Sequence, residues 1–265
     1  MVNEYRKGRI KNSSGNYLHY VLQGEPEGHA VAIIAHGFPG DIRELGKFNE
    51  LARKLAYEEP ELPALRFYFS GHRKGDDTPI TVTQLVDDLE SVIHFARKQY
   101  DGIGVLGYSM GGLVALESYG PGKIDSMVLW NPLTAPRKNY REDQLKRDDR
   151  RWEQINGLWK LTPLWRRPQG AKENYFVSDI FFEEIASVNQ QELLSRVKCP
   201  VLIIEGENDQ LLEDSRKGKE ILRSSGNTQS RLKVVENTDH YFGDFKSASV
   251  RDEVLGLTRN WFLGV

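Results

Sequence analysis

Ile103-Gly104-Val105-Leu106-Gly107-Tyr108-Ser109-Met110-Gly111-Gly112-Leu113 is the stretch on which the fold turns. Ile103 to Leu106 is a short apolar run and reads as a buried parallel strand. Leu113 to Ser118 reads as the opening of a helix. Between them Ser109 stands at a sharp turn with glycines two residues away on either side, the pattern G-x-S-x-G. A serine held there has a strained backbone, and its hydroxyl projects from the top of the sheet. Side chains at 107 and 111 would collide with the flanking strand and helix, and glycine removes the collision. The helix starting at Met110 aims its free N–H groups at any negative charge that forms over Ser109.

Set in this context, the motif resembles the nucleophile elbow of the α/β-hydrolase superfamily, and more closely its single-domain serine esterase and serine aminopeptidase-like branch. The resemblance implies an α/β chain: a mostly parallel eight-stranded sheet flanked by helices, with an α-helical cap insertion. Alone, G-x-S-x-G also occurs as a glycine-rich turn in other α/β proteins, so its partners along the chain matter.

Towards the N-terminus, Ala30 to Ala35 is a continuous apolar run, a strand covered on both faces, and it ends in His36-Gly37-Phe38-Pro39-Gly40. In the family such a His-Gly-aromatic loop supplies one oxyanion donor. The resemblance thus implies the backbone N–H groups of Phe38 and Met110 as the pair, with His36 bracing the loop. Tyr5 to Lys11 and Tyr17 to Gln23 read as an antiparallel edge pair around the turn Asn12-Ser13-Ser14-Gly15-Asn16, and Glu25-Pro26-Glu27-Gly28 breaks the chain. Arg43 to Tyr57 is predicted as a helix, Leu65 to Ser70 as a strand. In Gly71-His72-Arg73-Lys74-Gly75, Arg73 and Gly75 depart from the Gly-His-Gly-x-Ser common among relatives, which leaves the turn more charged. Thr83 to Lys98 is an amphipathic helix, with Leu85, Leu89, Val92 and Ile93 inward, and with Asp87, Asp88 and Glu90 expected to face water. His94 is expected at its surface.

Towards the C-terminus, Ile124 to Trp130 is another buried strand, followed by Asn131-Pro132. Regular alternation then stops. Residues 133–190 are expected to form a cap (lid) over a core made of 1–132 and 191–265. Arg137 to Glu153, dense in both charge signs, reads as a solvated helical face. The aromatics Tyr140, Trp152, Trp159, Trp165, Tyr175, Phe176, Phe181 and Phe182 either glue the cap to the body or line a pocket above Ser109. Val201 to Ile204 is a strand leading into Gly206-Glu207-Asn208-Asp209, a Gly-x-x-Asp loop in which relatives place the triad acid. Arg231 to Glu236 is the last strand, and the loop after it, where the family carries its catalytic histidine, contains His240. Val250 to Phe262 closes the chain as a helix.

Ser109, Asp209 and His240 therefore follow in the order Ser…Asp…His, each just beyond a predicted strand. His240 would take the serine proton and return it to the leaving group, while Asp209 would hold the ring's other nitrogen. Glu207 and Asp214 compete for the acid's role without occupying the matching loop position. Asp239 adjoins His240 in sequence, and Asn131 and Pro132 fill an alternative acid position without being acidic.

The formal net charge of −2 gives no sign of nucleic-acid or anionic-membrane binding. Cys199 is the single cysteine, which suits a reducing, cytoplasmic location, and Met1 to Arg6 lack the apolar core of a signal peptide. No apolar run reaches the roughly 20 residues that span a bilayer. The histidines are scattered, so no metal site is expected, and no G-x-G-x-x-G suggests a dinucleotide; the expected cofactor complement is none. The expected activity is a serine carboxylesterase on small or medium acyl esters, including the aryl acyl groups of the similar cinnamoyl and feruloyl esterases. Acyl thioesters, a serine aminopeptidase-like amidase with Glu183 and Glu184 as ammonium anchors, and a non-catalytic binding protein on the same fold are the alternatives.

Overall fold

The chain enters as the antiparallel pair Tyr5–Lys11 (β1) and Tyr17–Gln23 (β2), closed by a turn in which Gly15 takes φ 91°. The core elements that follow are Gly28–Ala35 (β3), Lys47–Tyr57 (α1), Ala64–Phe67 (β4), Val82–Ala96 (α2), Tyr100–Tyr108 (β5), Met110–Glu117 (α3) and Ser126–Trp130 (β6). Next come Tyr140–Leu145 (α4), Arg150–Ile155 (β7), Leu158–Pro163 (β8), Tyr175–Val177 (β9), Asp179–Ala186 (α5) and Gln190–Ser195 (α6). Val201–Gly206 (β10), Gly218–Ser224 (α7), Arg231–Val235 (β11) and Ala248–Leu263 (α8) complete the chain. This computed structural model describes residues 5–25, 28–136, 138–165, 170–210 and 217–264. Among them no helix is long and apolar enough to cross a membrane.

The main sheet has eight strands in the order β1-β2-β4-β3-β5-β6-β10-β11, parallel from β4 to β11. Its central strands read as unbroken apolar runs because successive side chains enter different cores. Val31, Ile33 and Ala35 join one cluster with α2 and α3, whereas Ala32 and Ile34 join the other with α1 and α8. Met127 and Leu129 alternate with Val128 and Trp130 in the same way. The sheet thus presents the carboxyl ends of β3, β5, β10 and β11 at one edge, where four loops meet.

Three expectations are corrected. The helix expected from Arg43 begins at Lys47, because the Asp41 carboxylate takes the Arg43 and Glu44 N–H groups at 2.7 and 3.2 Å and turns the chain first. Leu45 (φ 56°) and Gly46 (φ 101°) are then left-handed, so helix forms only beyond them. Asp88 does not face water. It is wholly buried and accepts from Ser70 N–H (2.7 Å), Ser70 Oγ (3.0 Å), Asn12 Nδ2 (2.7 Å) and Gln84 Nε2 (3.1 Å), which bolts the β1–β2 turn and the chain after β4 to α2. Burial pushes its carboxyl up to about 6, against four donors that favour the ionised form. Asp88→Ala should lower the unfolding free energy by about 3 kcal/mol, since it strands buried donors. Because the folded value lies above the ordinary 3.8, native Asp88 holds its proton more tightly than the unfolded chain does. Its contribution is therefore fullest below that value and falls as pH rises towards about 6, so denaturant titrations should show a larger loss at the acid end of that window.

The third correction concerns the segment between β6 and β10, expected to be helical. It is mixed. Beside α4, α5 and α6 it carries an antiparallel sheet, β7-β8-β9. Asn156 and Gly157, both at positive φ (51° and 78°), form the two-residue turn that joins β7 to β8. The sheet is fastened to the body where Ile80 N–H donates to Phe176 O at 2.8 Å.

Candidate active site

Ser109 closes β5 with φ 53° and ψ −114°, a conformation rare for any residue with a Cβ. Its surroundings enforce it. A Cβ on Gly107 would lie 2.4 Å from Gly111 O, and one on Gly111 would lie 2.4 Å from Ala35 O. Ser109 N–H donates to Trp130 O at 2.8 Å, and Leu133 N–H donates to Ser109 O at 3.0 Å, so β6 and the chain beyond it hold the elbow from both sides.

The loop after β11 brings His240 over this hydroxyl, with Nε2 2.9 Å from Ser109 Oγ. The loop after β10 brings Asp209 to the far side of the ring, with Oδ2 2.6 Å from Nδ1. Side chains of both are about nineteen-twentieths buried, at 6% and 5% exposure. An ionised carboxylate only accepts, so Nδ1 carries the proton and donates to Asp209, and Nε2 is left to accept from the serine. The three expected residues are brought together in one hydrogen-bonded line. The competing acids are turned elsewhere: Glu207 Oε2 accepts from Asn237 N–H at 2.9 Å, and Asp239 Oδ1 accepts from Tyr241 and Gly243 N–H at 3.0 and 2.9 Å. Asp214 lies outside the described residues. Glu184 caps α2 through Val82 and Thr83 N–H (2.5 and 3.1 Å), and Glu183 is exposed, so neither lies at the site.

Phe38 sits on the loop after β3, which packs so closely on the elbow that a Cβ on Gly37 would lie 3.3 Å from Ser109 Cβ. Its ring rests on Phe181 of α5 at 5.0 Å. Met110 is the first residue of α3, directly after the serine. Among the described residues neither of these two N–H groups is spent on a backbone or side-chain acceptor. His36 is buried beneath the loop: Phe69 N–H donates to its Nε2 at 3.3 Å, so Nδ1 is the protonated nitrogen and donates to Gly37 O at 2.8 Å. That is the bracing position expected for it.

Asn131, set aside above as a non-acidic occupant of an alternative acid position, has a role that the sequence does not show. It is wholly buried at φ 42°, its Oδ1 accepts from Gly206 N–H at 2.8 Å, and its Nδ2 donates to His240 O at 2.9 Å. One amide therefore spans the acid loop and the histidine loop. Tyr108 adds a second hold, donating from its hydroxyl to His240 O at 3.1 Å while its ring lies 5.6 Å from the imidazole. Asparagine is among the few residues that accept a left-handed backbone, which is the local trace of this role. Asn131→Ala should cost about 1–3 kcal/mol of stability. If the site is catalytic, it should also lower kcat about 10- to 100-fold with a smaller change in KM, because a displaced ring costs positioning rather than binding. Steady-state kinetics beside a thermal melt checks both.

A cavity of about 340 Å³ opens over Ser109 and His240. Leu133, Phe38, Tyr140 and Trp165 give it apolar wall, and Arg147, Asp149 and Arg150 give it charge. Of the aromatics expected to line a pocket, Tyr140 and Trp165 do so, whereas Tyr175, Phe181 and Phe182 are buried in the core.

A sequence profile described as the alpha/beta hydrolase family matches residues 32–250. Esterase EstD of Thermotoga maritima is 28% identical over 239 residues, which cover 83% of this chain and 57% of EstD, so the chain spans little more than half the length of that relative. Human serine hydrolase BPHL is 27% identical over 214 residues, covering 75% of this chain and 69% of the relative. The solved structure of the esterase domain of a Rhodothermus marinus protein superposes with a TM-score of 0.67 at 17% identity, covering 97% of each chain; at that identity it bears on the fold alone.

Proposed function

Because this chain belongs to the alpha/beta hydrolase family, we propose that it is a serine carboxylesterase acting on small or medium acyl esters through an acyl-enzyme. The observation that carries this reading is the Asp209–His240–Ser109 line of hydrogen bonds, 2.6 and 2.9 Å, ending at a cavity. Ser109 Oγ attacks the ester carbonyl carbon as His240 Nε2 takes its proton. Asp209 keeps the ring oriented and stabilises the imidazolium. The N–H groups of Phe38 and Met110 receive the developing oxyanion, a contribution of about 3 kcal/mol to the barrier for each well-placed donor. His240 then gives the proton to the leaving alkoxide. Water, deprotonated by the same nitrogen, attacks the acyl-enzyme; the bond from the acyl carbon to Ser109 Oγ then breaks, His240 returns the proton to Oγ, and the acid leaves. An esterase and a serine hydrolase among the relatives support the same chemistry.

In this reading residues 133–190 act as the cap over a core of 1–132 and 191–265, and the cavity beneath them receives the substrate. Its aromatic wall, Phe38, Tyr140 and Trp165, suits an aryl acyl or aryl alcohol group. Cys199, a lone buried thiol pushed up to about 12 by burial, fits a reducing compartment, and the reading places the protein in the cytoplasm. Hydrolysis of p-nitrophenyl esters from acetate to laurate tests the activity. Turnover with an optimum at short or medium chains is expected. An inert enzyme across the series contradicts the esterase reading, and a strong preference for acyl thioesters over matched oxygen esters would reassign the leaving group.

A further inference from the structure

The ion pairs around the cavity close one to one with an exception. Asp41 takes Arg43 at 3.0 Å and Asp244 takes the buried Lys47 at 3.0 Å, while Asp209 holds the neutral His240 ring by a hydrogen bond. Asp149 takes two guanidinium groups: Arg147 through Nε and Nη2 at 2.9 and 2.6 Å, and Arg150 through Nε at 3.0 Å. All three of these residues line the cavity. Among the described residues Asp149 is the acid paired with either arginine, so at this corner of the wall two guanidinium groups share one carboxylate. Burial would raise the Asp149 carboxyl, yet the hydrogen bonds from Arg147 and Arg150 hold it well below the usual carboxylate range, so it stays ionised and the count stands.

The surplus is built in. The Arg150 side chain is only 4% exposed, donates from Nη1 to Gln144 Oε1 at 2.7 Å and lies over the Trp165 ring at 5.5 Å. Arg147 is the more open of the two at 21% exposure, and its Nη2 also donates to the hydroxyl of Tyr241, the neighbour of His240. Among the described residues its Nη1 donates to no acceptor. Asp149 fixes the plane of that guanidinium, which leaves a pre-oriented cationic donor beside the ester-binding space. Two guanidinium groups that share one carboxylate keep N–H groups and positive charge that an arriving anion can take. Glu44, the remaining acid of the wall, sits on the opposite bank, where Gly37 N–H points at its Oε2 at 3.4 Å.

Resting on the esterase reading, we propose that the preferred substrates are esters that carry a carboxylate, and that Arg147 is the residue that selects them. Two pairs of compounds test this: methyl hydrogen adipate against methyl hexanoate, with the charge on the acyl side, and 4-acetoxybenzoate against methyl 4-acetoxybenzoate, with the charge on the alcohol side. Rates are divided by the uncatalysed rate of each compound. In at least one pair kcat/KM should favour the carboxylate about tenfold or more. Arg147→Gln should reduce that ratio about tenfold, mainly through KM, while Arg147→Lys keeps most of it. A wild-type enzyme that favours the neutral ester in both pairs, or that shows no preference in either, overturns the proposal without any variant having to fold. A ratio unchanged in Arg147→Gln overturns it as well. If no ester of either pair is hydrolysed while p-nitrophenyl esters are, this inference fails alone, as it does if the neutral esters are hydrolysed without preference for charge; if the p-nitrophenyl esters are inert as well, the esterase reading itself fails.

Discussion

Ser109→Ala is expected to lower kcat/KM on p-nitrophenyl esters by about four to six orders of magnitude. The variant keeps the cavity and the proposed oxyanion donors, so it should retain the small rate advantage of binding and polarisation over water. It loses the atom proposed to form the acyl-enzyme. His240 then has no hydroxyl to deprotonate at the 2.9 Å contact, and an unpositioned water must substitute. Folding should be almost untouched, within about 0.5 kcal/mol, because alanine and serine meet the same difficulty at φ 53° and the elbow is held by backbone contacts. A loss below about tenfold in a folded variant would mean that another group carries the reaction.

Asp209→Asn is the second large effect, a fall of about 10³- to 10⁴-fold in kcat with a smaller change in KM. The 2.6 Å contact at His240 Nδ1 requires an acceptor. An amide can present its NH₂ there instead, which favours the tautomer with the proton on Nε2. That nitrogen could then no longer accept from Ser109, and the imidazolium would lose its counter-charge. If the three residues act as a unit, as proposed, Ser109→Ala/Asp209→Asn should be no slower than Ser109→Ala alone. Glu207→Gln, the nearest competitor in the same loop, should stay within about threefold of wild type, since its carboxylate serves Asn237 N–H. An inactive Glu207→Gln beside an active Asp209→Asn would move the acid to Glu207.

What the sequence makes legible is governed by how local the cause is. The elbow is readable because the residues that answer its steric requirement stand within six positions: no side chain fits at Gly107, against Gly111 O, or at Gly111, against Ala35 O of β3. The parallel strands are readable because burial on both faces leaves continuous apolar runs such as Ala30 to Ala35. The candidate triad is readable as three loops that each follow a strand, although its assignment leans on family resemblance. Asp88 is misread because its helix face looks solvated until Asn12 and Ser70 arrive from elsewhere in the chain. Asn131 is invisible for the same reason: its two partners are 75 and 109 residues away. The β7–β8 hairpin carries a local signal, Asn156-Gly157, that a reading of Arg137 to Glu153 by charge density alone leaves unused. Charge on alternate residues of a half-exposed strand resembles charge on a helix when only its density is counted. The stoichiometry around Asp149 depends on side chains converging in space, so no spacing rule exposes it.

Every step proposed for this site passes through Ser109 as the nucleophile. Incubation with a fluorophosphonate, followed by peptide mass spectrometry, tests that claim most directly. The result predicted is one adduct per chain on the peptide containing Ser109, absent from Ser109→Ala and formed far more slowly in His240→Ala. An unlabelled Ser109 peptide in a preparation that still turns over esters would contradict it.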